Sequence, residues 1–156
     1  MTSRFVLRNA THAAHARLDA KVEKAGIDAV EGYRAFLLAS ASALRRVEAA
    51  LEASGVGAVL TDWPERKRSP VIAADLAGLG LETPTPEGPA KLFSRAEMFG
   101  ALYVLEGSRL GARVLLKRAR DAENDLITNN TRYLSHGEGS RLWPTFVDLL
   151  ENEQAI

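Results

Sequence analysis

Gly107 and Gly111 stand four residues apart inside a stretch, from about Ser94 to Asp121, that otherwise keeps the spacing of one long amphipathic helix. A glycine in a helix interior costs about 1 kcal/mol relative to alanine. Four residues make about one turn, so both glycines fall on one face, together with Val104 and approximately Val114. Removing two Cβ atoms from one face lets something flat lie against main chain, or lets the helix bend and unwind locally. Close helix–helix packing through small residues satisfies the same spacing, so the pair alone does not choose between them.

The rest of the chain reads as helix too. The first helix is expected over about Ser3 to Lys24, capped by Thr2 or Ser3 and ended at Gly26. The second covers about Ala29 to Ala53, with Tyr33, Phe36, Leu37, Leu44, Val47 and Leu51 at helical spacing. Asp62-Trp63-Pro64 reads as a helix start, leading to a third helix from about Glu65 to Ala77 that Pro70 kinks or restarts. Pro84, Pro86 and Pro89 stiffen an extended linker from Thr83 to Pro89. Ser94 and Glu97 form a capping box for the glycine-bearing helix. A last helix is expected from about Ser140 to Asn152. No strand alternation competes, so the expectation is an all-α fold and a single domain over residues 1–156.

Lys+Arg and Asp+Glu both number 20, and zero formal net charge weighs against a nucleic-acid binder. The absence of cysteine excludes disulfides, thiolate chemistry and Cys-ligated metal. No apolar run approaches the roughly 18 residues needed to span a bilayer, and the N-terminus has no signal-peptide core. The reading is a cytoplasmic protein with no nucleic-acid or membrane partner.

The first helix carries chemistry. Arg8, His15 and Val22 lie nearly in line, because seven residues are close to two turns. Asp19 follows His15 by one turn and is within reach of its imidazole. A ligating imidazole gives one nitrogen to a metal and donates its other N–H to such an acceptor. Arg8 is spaced to meet an anionic group about 10 Å along the helix, such as a haem propionate. An ordinary i,i+4 surface pair explains His15 and Asp19 equally well. His12 reads as peripheral, and His136, beside Gly137, reads as exposed.

Leu7-Arg8-Asn9-Ala10-Thr11-His12-Ala13-Ala14-His15-Ala16-Arg17-Leu18-Asp19 resembles the proximal helix of haem oxygenases. The run from Tyr103 through Glu106-Gly107-Ser108-Arg109-Leu110-Gly111 to Leu115 resembles the distal helix of their bacterial branch. Trp63 to Arg68, Asp75-Leu76, Leu79-Gly80, Arg132-Tyr133-Leu134 and Leu142-Trp143 resemble the segments between and after them. The resemblance implies a haem oxygenase-like helical bundle with haem between the first and fourth helices. It implies cleavage of haem to biliverdin, CO and Fe2+, with haem as substrate and cofactor, O2, and an external electron donor. By position, His15 would be the proximal ligand to the iron, Asp19 its partner, and Arg8 a neighbour of the propionates. Gly107, Ser108 and Gly111 would line the distal, catalytic face.

Family members usually continue into further C-terminal helices, so a bundle shortened at its C-terminus is expected. Many animal members carry an acid where Ser108 stands, and bacterial members lack it. The implied partners are a ferredoxin or reductase as electron donor and a bacteriophytochrome as biliverdin acceptor. The alternative is a non-catalytic haem- or bilin-binding relative with the same fold.

Overall fold

A computed structural model describes residues 2–153, and the described residues form nine helices and no strand. The first, α1 (Ser3–Ala25), starts where Thr2 Oγ1 accepts from Phe5 N at 3.2 Å and stops at Gly26, whose φ of 69° is left-handed. The chain reverses through buried Ile27 into α2 (Val30–Ala53). Gly32 permits that reversal: a Cβ there would meet the carbonyl oxygen of Gly26 at 2.1 Å.

Next come three short helices, α3 (Val56–Val59), α4 (Trp63–Arg66) and α5 (Ser69–Gly78). The helix expected from Glu65 to Ala77 is therefore two pieces. Lys67 takes extended backbone angles between them, and Pro70 occupies the first turn of α5. Asp62 does not cap α4. Its Oδ1 accepts from Arg66 Nε at 2.7 Å, because Arg66 turns inward.

After an extended segment, α6 (Arg95–Asp121) opens on the capping box of Ser94 and Glu97 and continues unbroken through both glycines. Two single-turn helices, α7 (Asp125–Thr128) and α8 (Arg132–Ser135), precede α9 (Leu142–Glu151). These and α3 escaped periodicity analysis because one turn is too short to display a period.

At about 40 Å long, α6 is the spine. Its N-terminal half sets Met98, Phe99 and Leu102 into one apolar cluster with Leu51, Trp63, Phe146 and Leu150. Its C-terminal half sets Ala112, Leu116 and Ala119 into a second with Tyr33, Leu37, Ile72, Leu76 and Leu134. Between the halves, on the same buried face, lie Glu106 and Arg109. Among the described residues no helix is long and apolar enough to cross a membrane.

Candidate functional site

No residue of α1 is buried, and every residue from 12 to 21 is exposed. Only Ser3, Leu7, Thr11 and Val22 are partly covered, and they mark the side on which α1 touches the body. Leu18 lies within about 20° of Leu7 and Thr11 on a helical wheel, yet it is 58% exposed. His15 lies about 20° from Val22 on the same wheel. The inward side of α1 is therefore uncovered along its middle.

Both ends of α1 are tied down. At the start, Ser3 Oγ donates to the Glu153 carbonyl, and the Arg4 guanidinium sits 5.8 Å over the Trp143 ring. At the end, Arg118 Nη1 on α6 lies 3.1 Å from Glu23 Oε2. Trp143 in turn rests on Gly107 of α6. Thus α1 is tied to α6 through Trp143 near Gly107 and directly at Arg118, positions about 16 Å apart along α6. Along and beside that stretch Val104 is 53% exposed and Val114 64% exposed. A Cβ built on Gly111 would meet nothing within 4 Å. The stretch between these ties, where the middle of α1 and this part of α6 are both uncovered, is the slot.

The two glycines have different surroundings. At Gly107 a Cβ would lie 3.5 Å from Trp143 Cζ3, so this glycine faces an indole. At Gly111 the main chain is open. Ser108 is exposed, and its hydroxyl donates to the Leu105 carbonyl at 2.6 Å while accepting from Arg68 Nη2 at 3.0 Å.

In α1, His15 Nδ1 lies 3.2 Å from Asp19 Oδ2, with the His15 side chain 71% exposed. The carboxylate favours the Nδ1–H tautomer, leaving the Nε2 lone pair for a metal. Arg8 and His12 are exposed on the same helix. His136, expected to be exposed, is instead half-buried. Its Nδ1 is 2.9 Å from Arg109 Nη1, and an arginine can only donate, so Nδ1 accepts and Nε2 carries the proton. Burial, then the charges of Arg109 and Arg68, push its pKa down to about 4. That tautomer presents no free lone pair, so His12 and His15 are the imidazoles able to offer one. Among the described residues no group of three or more His, Asp or Glu side chains is gathered to hold a bare metal ion.

Beneath the slot lies a charge cluster that helical periodicity did not reveal. Glu106 Oε2 accepts from Arg66 Nη1 at 3.0 Å and from Arg109 Nε at 2.7 Å. Arg66 also donates to the Leu142 carbonyl and to Thr145 Oγ1, and Arg109 to the Arg66 and His136 carbonyls. Arg68 Nη2 donates to the Leu105 carbonyl at 2.5 Å, while its backbone N–H donates to Glu48 Oε2 at 2.7 Å. Its guanidinium lies 5.4 Å over the Tyr133 ring, and burial pulls its pKa down. The cluster joins α6 to α2, α4, α8 and α9, and the segments Trp63–Arg68, Arg132–Leu134 and Leu142–Trp143 converge on it. A signal existed: Phe99, Leu102, Glu106, Arg109 and Leu116 share one helical face, and charges in line with an apolar stripe are paired interior charges.

Two hollows contain neither His15 nor Gly111. One of about 190 Å3 adjoins the Trp143 end, lined also by Arg109, Leu110, Arg113 and Ser140, and one of about 360 Å3 adjoins the Arg118 end, lined also by Asp28 and Asp121.

Haem oxygenase PigA of Pseudomonas aeruginosa is 41% identical over 92 residues, covering 55% of this chain and 45% of PigA. A haem oxygenase of Xanthomonas campestris pv. campestris is 33% identical over 89 residues, covering 57% of this chain and 53% of that protein. Over just over half of its length the chain is similar to these two bacterial haem oxygenases. It spans about half the length of the curated relatives it matches. No protein-family model and no solved structure matches it. An exposed apolar stretch of α6 that is bare at Gly111, and a helix that carries an exposed imidazole, have the chemistry to hold a flat, largely apolar ring with a metal at its centre.

Proposed function

We propose that this chain binds haem in the slot between α1 and α6 and cleaves it to biliverdin. The carrying observation is the uncovered surface between the ties of α1 to α6: ten successive exposed residues of α1, and an exposed apolar stretch of α6 that is open to the main chain at Gly111. The names of the two relatives point the same way. Bound haem would supply the redox chemistry, with O2 as co-substrate and electrons from an external donor such as a ferredoxin or reductase, and CO and Fe2+ would be the other products.

The chain's own residues bind and orient. His15 would hold the iron through Nε2, with Asp19 fixing its tautomer. Arg8 would meet a propionate carboxylate. Gly111 lets the ring approach the main chain, with Gly107 alongside it. Arg68, held through Ser108 and Leu105, would stand as a buried cation behind the distal face. Biliverdin would pass to an acceptor such as a bacteriophytochrome.

A specific observation favours a second reading, a non-catalytic haem or bilin binder. Between Val104 and Val114 the acid on α6 is Glu106, which is 1% exposed and bonded to two arginines. The Ser108 hydroxyl is already committed to a carbonyl. An anaerobic hemin titration followed by ascorbate and air separates the readings. Haem oxygenase activity gives a stoichiometric Soret band that then decays as a bilin spectrum rises. A band that survives reductant and air supports the binder, and no saturable band overturns both.

A further inference from the structure

We propose that Trp143 sets where a tetrapyrrole sits along α6. The inference rests on the haem-binding reading above and deepens it by naming a positioning residue outside both slot helices. The ring of Trp143 lies 3.5–3.6 Å from where a Gly107 Cβ would be, which is ordinary van der Waals contact. The indole therefore occupies the space that glycine leaves at position 107. One turn further on, the space at Gly111 is open. A flat ring laid on α6 reaches the main chain at Gly111 and stops against the indole before Gly107.

The indole is well held for that task. Tyr103 packs against it at 5.8 Å between ring centroids and Phe146 at 6.1 Å. Phe146 is fully buried and stacks on Phe99 at 6.5 Å, which roots the group in the core. On the other side the Arg4 guanidinium covers the ring at 5.8 Å, so the start of α1 rests on the same group. Trp143 thus fixes one end of the slot and joins both walls. Without the indole, a ligand gains about one helical turn, 5–6 Å, of travel toward the N-terminus of α6.

The test reads seating rather than uptake. Ferric hemin complexes of the wild-type protein, Trp143→Phe and Trp143→Ala are compared by the paramagnetically shifted haem-methyl proton resonances. The wild type is expected to give one dominant methyl pattern, Trp143→Phe to keep it, and Trp143→Ala to give a different or multiple pattern. An unchanged pattern in Trp143→Ala overturns the proposal while leaving haem binding intact. A second measurement needs no destabilising variant. The wild-type chain has two tryptophans, so 5-fluorotryptophan labelling gives two fluorine signals. Hemin is expected to broaden the Trp143 signal more than that of buried Trp63. A stoichiometric Soret band with the Trp143 signal unmoved overturns the proposal alone. No Soret band in the wild type overturns the haem-binding reading and this proposal together.

Discussion

Glu106 satisfies two guanidiniums at once from a position that is 1% exposed. Removing one member of such a buried group leaves the others unpaired, at a cost of about 3–5 kcal/mol. Glu106→Gln is expected to lower unfolding free energy by about that amount, read as a fall in the urea midpoint with little change in slope. His136 makes stability depend on pH. Its folded pKa of about 4 lies below the ordinary value of 6.5, so the unfolded chain binds the proton first as pH falls. The stabilisation is fully present above about pH 6.5 and is lost as pH drops toward 4. His136→Asn keeps an acceptor for Arg109 but cannot titrate, so its urea midpoint is expected to be flatter across that window. Sequence spacing identified Asp19 as a partner for His15, because one turn of helix joins them. It misjudged His136, because Arg109 approaches from another element.

At the scale of elements, α1 and α6 behave differently for a physical reason. α6 is locked by two apolar clusters and a charge cluster, whereas α1 is held at its ends. Amide hydrogen exchange is expected to be faster in α1 residues 12–21 than in α6, and slowed by stoichiometric hemin. An unchanged exchange rate on hemin addition would count against α1 as a wall of the site. His15→Ala is expected to change the ferric hemin spectrum markedly, and His12→Ala to change it less. The reverse order would reassign the ligand. Gly111→Leu fills the open part of the slot and is expected to weaken hemin uptake at least tenfold, with Gly107→Ala costing less, measured by Soret titration. Helix ends marked by Thr2, Gly26, Ser94 and Glu97 were legible because caps act within one turn. The break between α4 and α5 was partly legible from Pro70, and the burial of Arg66 just before it was not.

On the scale of the whole molecule, α6 serves two sides. Its buried face ties the two apolar clusters together through Glu106 and Arg109, and its other face forms a wall of the slot. The arginines that lock the spine also stand behind the proposed site, so their loss is expected to affect stability and haem binding together. Similarity to the bacterial haem oxygenases covers just over half of this chain.

The order of long helices, their caps, the pairing of His15 with Asp19 and the shared face of Gly107 and Gly111 were determined by the sequence alone. Each depends on residues within a turn or two of one another, and helical geometry fixes those relations. Tertiary structure decided which glycine is open and which lies under Trp143, that Arg66, Arg68 and Arg109 are interior, and that His136 is held neutral. Those outcomes depend on partners from 20 to 79 residues away in the chain, and burial and pairing at that range come from packing, which has no local period to read.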